Sequence, residues 1–121
     1  MALPRDADLH RSLGLLLTRK GDKSAALNEF VEAARLAPDN ARYAYVHAIA
    51  VDSAGKREQA LALLRSANKQ HPNDLDILGA LLSISRETGD RQAALRYARQ
   101  LAEMLPGNPG LNRLIAELEA K

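Results

Sequence analysis

"LAPDN", residues 36–40, reads as a helix exit: two apolar residues, a proline, then two polar residues. Nearly the same wording returns as "QHPND" at 70–74 and "MLPGN" at 104–108, and "ALPRD" stands at 2–6. Pro4, Pro38, Pro72 and Pro106 are therefore spaced 34 residues apart. A fixed period of this length is the signature of one supersecondary unit stacked several times.

Cutting the chain in register with its prolines gives three ungapped blocks, 7–40, 41–74 and 75–108. Glycine recurs at place 15 (Gly21, Gly55, Gly89) and alanine at place 20 (Ala26, Ala60, Ala94). Each glycine separates two stretches of helical length. In the first block Leu9, Leu13, Leu16 and Leu17 recur at helix spacing, followed after the break by Leu27, Phe30, Val31 and Ala34. Glycine past the last periodic residue is the usual left-handed helix stop. Asp22 and Asp90 are then expected to cap the second helix of their blocks, whereas Lys56 cannot. Proline disfavours helix in the residue before it, so the prolines close each second helix, and Asn40 and Asp74 cap the first helix of the next block. The expected fold is all-α. Two helices of a hairpin approach closely only where one side lacks bulk; Ala26, Ala60 and Ala94 supply that on the second helix, Gly14 and Ala48 on the first.

The period, the small residue at place 8, the alanine at 20 and the proline at 32 resemble the tetratricopeptide repeat over residues 7–108. The resemblance implies a right-handed α-solenoid of three hairpins: 7–40, 41–74 and 75–108. Residues 109–121 add a capping helix, with Leu111, Leu114, Ile115 and Leu118 on one face. The chain departs from the family at places 4, 11 and 24, where large rings are favoured and only Phe30 remains. Leu82 and Leu101 stand where small residues are usual, and Ala98 is expected to compensate them in volume. Pro4 occupies the place of an earlier repeat's proline, so residues 1–6 are expected to be the tail of a truncated upstream repeat, with the first helix over 7–20. Its apolar strip would then be uncovered, and weak self-association through this N-terminal face is expected.

Composition narrows the function. The 121 residues carry 17 basic and 15 acidic side chains, and the blocks balance five against five, five against three and four against four. That leaves no clustered basic surface, and four aromatics make a poor stacking platform, so nucleic-acid binding is not expected. No apolar run reaches the ~20 residues of a membrane span, and no signal peptide is visible. The absence of cysteine excludes disulfides, thiolate metal sites, a thiol nucleophile and haem attachment within the chain. His10, His47 and His71 fit no short ligand motif and read as packing or surface residues. No nucleophile motif or phosphate loop is present, so no catalytic residue, metal or cofactor is expected. Pairs such as Glu29 with Arg35, or Asp90 with Arg91, read as solvated helix surface.

What remains is a binding surface. In the family that this chain resembles, places 2, 5, 6, 9, 12 and 13 face a concave groove that takes a protein or peptide partner. Carried over by position, the partner-binding residues are Arg11, Leu15 and Arg19 from the first block. The second contributes Arg42, Tyr45, Val46, Ile49 and Asp52, and the third Ser83 and Arg86. Its middle is apolar and aromatic, with charged edges, which suits an extended or helical segment. The subtype that clamps chaperone C-terminal carboxylates needs lysine, asparagine or arginine at five places that here hold Arg11, Leu15, Val46, Asp76 and Ala80, so that clamp is absent in this register. The stretches "DLHRSLGLLLTRKGD" and "DNARYAYVHAIA" also resemble C-terminal repeat segments of bacterial multi-haem c-type cytochromes. These readings imply a soluble scaffold module, or alternatively the assembly domain of a larger periplasmic multi-haem redox protein. The location would be periplasmic in the second case and cytoplasmic otherwise.

Overall fold

A computed structural model describes residues 4–120, with side chains from Asp6 onward. Among these residues seven helices follow one another: α1 (Pro4–Arg19), α2 (Lys23–Leu36), α3 (Ala41–Ser53), α4 (Arg57–Gln70), α5 (Leu75–Thr88), α6 (Arg91–Met104) and α7 (Pro109–Glu119). They form three hairpins and one further helix, an all-α helical repeat. The chain packs as two compact units, Met1–Gln70 with α1–α4 and His71–Lys121 with α5–α7.

The helix boundaries follow from local chemistry repeated in register. The side chains of Asn40, Asp74 and Asn108 each accept a hydrogen bond from the backbone N–H three residues on, at Tyr43, Ile77 and Leu111. Asp22 and Asp90 do the same for α2 and α6, from Ala25 and Ala93. Each bond satisfies a donor that the first turn of a helix cannot pair internally. Gly21, Gly55 and Gly89 turn the chain between helices of a hairpin with φ of 86°, 87° and 79°, a conformation that side chains disfavour. Pro38, Pro72 and Pro106 lie just past α2, α4 and α6.

Pro4 behaves differently. It opens α1, three residues before the expected start, because a proline costs nothing where the first N–H groups have no helical partner. Residues 1–3 of the expected upstream tail lie outside the described residues. The expected pairing of Glu29 with Arg35 also does not form. Residues six apart sit on different sides of a helix, so Arg35 donates instead to Glu32, three residues away, at 2.7 Å. Arg91 donates to the backbone oxygen of Leu118 at 2.9 Å.

In the first unit α1, α2 and α3 share a core of Ala7, Ala33 and Tyr43, against which Leu36 and Ala37 pack. The Tyr43 hydroxyl donates to the Asp8 carboxylate of α1, so its buried phenol keeps a polar partner. His10 Nδ1 lies 2.6 Å from Glu29 Oε2, a polar link between α1 and α2. Ala48, Val51, Ala60 and Leu64 are buried in the α3–α4 hairpin. In the second unit the core is Ile77, Leu78, Leu81, Leu82 and Ile84 of α5 with Ala93, Ala94, Tyr97, Ala98 and Leu101 of α6. Leu82 and Leu101 are buried, and Ala98 is fully enclosed. Leu111, Leu114, Ile115 and Leu118 of α7 are half-buried, and α7 packs on α6.

Candidate functional site

The site grows from one glycine. A side chain at Gly14 of α1 would place its Cβ 2.4 Å from Phe30 Cε1, so the ring of α2 fills the room a methyl group would need. Phe30 is buried and lies under the space between α1 and α3. A cleft of about 240 Å³ opens there. Leu15 and Thr18 of α1 form one wall, and Tyr45, Val46, Ile49, Ala50 and Ser53 of α3 the other. Lys23, Ala26 and Phe30 of α2 complete the lining.

Its polar groups are few. The Thr18 hydroxyl donates to the Gly14 carbonyl at 2.8 Å, leaving that wall without an open hydroxyl donor. The Arg42 guanidinium lies 5.6 Å from the centroid of the Tyr45 ring, within cation–π range. Asp52 receives two bonds from Arg57 across the α3–α4 turn, at 2.8 and 3.0 Å. The Arg57 hydrogen bond, with its charge, holds the Asp52 carboxyl below the usual carboxylate value. Burial alone pushes the His47 imidazole below its ordinary value, so the neutral ring is favoured on α3.

Of the ten residues expected at the groove, Leu15, Tyr45, Val46 and Ile49 line this one cleft. Arg42 attaches to it through the Tyr45 ring. Asp52 is half-buried and turned to Arg57, and Arg11 and Arg19 are not among the lining side chains. Long basic side chains extend toward water, so helix register alone overstates their part in an apolar wall. Ser83 and Arg86 belong to the second unit, where they border a shallow depression with Glu87.

Sequence reasoning missed the floor. Lys23, Ala26 and Phe30 come from the second helix of the hairpin. The available signal was a glycine at place 8 together with the only ring at place 24. The second unit carries a cleft at the corresponding places two periods on, of about 390 Å³. There Arg86, Arg91 and Glu117 stand where the first unit has Thr18, Lys23 and Ile49, so its character is polar. Among the described residues no three histidine, aspartate or glutamate side chains gather as a metal site, and no helix is long and apolar enough to cross a membrane.

No protein-family model matches the chain, and no curated protein matches it. Solved structures do. MamA (residues 41 to the end) from Desulfovibrio magneticus RS-1 superposes with a TM-score of 0.79 over 93% of this chain, at 19% identity. This chain spans 64% of the MamA chain's length. The Sgt2 TPR domain from Aspergillus fumigatus matches with a TM-score of 0.76 over 94% of this chain and 77% of its own, at 21% identity. The first TPR domain of Spaghetti (RPAP3), bound to the HSP90 peptide SRMEEVD, matches with a TM-score of 0.80 over 98% of this chain and 97% of its own, at 13% identity. The chain has the fold of the tetratricopeptide-repeat domains.

Proposed function

We propose that this chain is a non-catalytic protein-interaction module that holds a segment of a protein or peptide partner in the cleft between α1 and α3. The observation that carries this reading is the cleft's lining: Leu15, Phe30, Val46 and Ile49 around a tyrosine ring stacked by arginine. Concave apolar surface with a few polar handles is what a bound side chain needs, and tyrosine and arginine are each enriched among the residues that dominate such contacts. Lys23 and Arg42 favour a partner with carboxylates flanking its apolar part.

The RPAP3 domain of the same fold is bound in its structure to SRMEEVD, a peptide with three acidic side chains. The cleft here is of another character. Leu15 and Val46 are apolar walls where a carboxylate clamp would place asparagine, and the segment that fits is one led by an apolar or aromatic side chain. Selection from a displayed random-peptide library tests this. Recovered peptides should share an apolar or aromatic anchor and lose binding to Val46→Asp; peptides that bind this variant undiminished would place the site elsewhere.

A second reading makes the chain the assembly domain of a larger periplasmic multi-haem redox protein. It rests on the stretches "DLHRSLGLLLTRKGD" at 8–22 and "DNARYAYVHAIA" at 39–50. Haem-attachment motifs encoded upstream of Leu3 would support it. Both readings use the same cleft as a docking surface.

A further inference from the structure

The cleft of the second unit is the polar counterpart of the first. One wall is α5 and the other α7, over a base of Ala94, Leu114 and Leu118. Ser85 lines it and is 4% exposed, the one buried polar side chain among the described residues. Val51 and Leu17 occupy its place one and two periods earlier, so the serine leaves room that an aliphatic side chain fills elsewhere. The Ser85 carbonyl takes bonds from Asp90 and Thr88, but no hydrogen bond among the described residues engages its hydroxyl. A buried hydroxyl left so is costly unless water or a ligand in the cleft meets it. Arg86 of α5, Arg91 of α6 and Glu117 of α7 are the charged side chains of the lining. Arg91 is committed, donating to the Leu118 carbonyl at 2.9 Å. Around them Glu87 is already engaged, Asp90 caps α6, and Glu119 is held by Arg99 at 2.6 Å. One cation and one anion remain, Arg86 and Glu117, on opposite walls and not paired with each other. The first cleft is lined by α1, α2 and α3 and not by α4, so by the same register a helix after α7 would not cover this one.

We propose that this cleft binds a free α-amino acid with an apolar side chain. The ligand's carboxylate meets Arg86, its ammonium meets Glu117, and its side chain lies on Ala94, Leu114 and Leu118. The Ser85 hydroxyl serves either charged group, since it can donate to a carboxylate or accept from an ammonium. Either wall charge alone would suit many ligands; one of each sign beside an apolar base is the complement of a small zwitterion. An interior residue of a polypeptide has neither group on its backbone, so a protein segment would leave both wall charges to its side chains. A volume of about 390 Å³ lies in the range of small-ligand clefts. Arg86 and Glu117 are exposed and well solvated, so the dissociation constant is on the order of 1 mM.

Heteronuclear NMR of the isotope-labelled full chain separates the contributions. It is titrated at fixed pH and ionic strength with L-leucine, L-phenylalanine, L-leucine amide, which lacks the carboxylate, and N-acetyl-L-leucine, which lacks the ammonium. The free amino acids should move the backbone signals of Ser85, Gly89 and Leu118 saturably, and each singly charged derivative should bind about tenfold more weakly. Arg86→Gln and Glu117→Gln, both at exposed positions, should each weaken L-leucine binding by a similar factor with their thermal melts unchanged. No saturable shift with either amino acid at tens of millimolar overturns the proposal. Undiminished binding of N-acetyl-L-leucine or of L-leucine amide, or of L-leucine to either variant, also overturns it, because the cleft would then not be reading a zwitterion. Shifts confined to α1 and α3 would put the ligand in the first cleft and overturn it too.

Discussion

Replacing Gly14 by alanine should reverse the usual sign of a glycine-to-alanine change in a helix. In an exposed helix interior alanine is worth about 1 kcal/mol over glycine. At Gly14 the new methyl carbon would stand 2.4, 2.6 and 2.9 Å from Phe30 Cε1, Cδ1 and Cζ. Carbon atoms rest about 3.5–4.0 Å apart, so the ring must withdraw by roughly 1 Å or α1 must move. Phe30 is only 5% exposed, and a ring so enclosed has little room except toward the cleft it floors. Overpacking of this kind costs about 1–3 kcal/mol, which outweighs the helix gain and leaves a net loss of about 1 kcal/mol. Gly79 is the control: it lies inside α5, and a methyl group there would meet nothing within 4 Å. Gly79→Ala should therefore stabilise by about 0.5–1 kcal/mol. Urea titration followed by far-UV circular dichroism reads both. Adding Phe30→Leu should make Gly14→Ala less harmful than it is alone, a coupling expected only between groups in contact. Equal stabilisation by both glycine variants would refute the packing account.

Ala60→Leu and Ala98→Leu should each cost roughly 1–3 kcal/mol in the same titration, since both alanines are completely enclosed. Lys56→Asp should add about 0.5–1 kcal/mol by supplying the cap that α4 lacks and that Asp22 and Asp90 give α2 and α6, readable as a raised melting temperature. His47 titrates below its ordinary value in the folded chain because of burial, so the unfolded chain binds the proton more readily. Its contribution is complete above the unfolded value near 6.5 and is lost as pH falls below it, so His47→Gln should flatten the decline in melting temperature on acidification from neutral pH.

The period of the chain was legible because its punctuation acts locally. Proline, left-handed glycine and a capping carboxylate or amide each impose one backbone geometry wherever they stand, and three copies in register leave little freedom. The close-packed alanines were legible for a similar reason, since a missing side chain permits only one kind of contact. Partnerships across a turn or between helices were not legible. Asp52 and Arg57 are five residues apart around Gly55, and His10 meets Glu29 from another helix, so no helical spacing rule joins them. The cleft divides along the same line. Its walls follow from first-helix register, which gave Leu15, Tyr45, Val46 and Ile49. Its floor depends on how far α2 can enter past Gly14, a property of the hairpin as a whole. Arg11 and Arg19 share the register of the wall, but Arg11 is half-buried outside the cleft and Arg19 is exposed.

The most direct test of the account is calorimetric titration of a library-selected peptide into the parent chain and Tyr45→Ala, with thermal melts of both free proteins. Tyr45 is half-buried in the cleft wall, with the Arg42 guanidinium over its ring. The account predicts a loss of about 1–3 kcal/mol in binding with an unchanged melting temperature. A lowered melting temperature with affinity intact would show that the ring belongs to the core and that partners bind elsewhere.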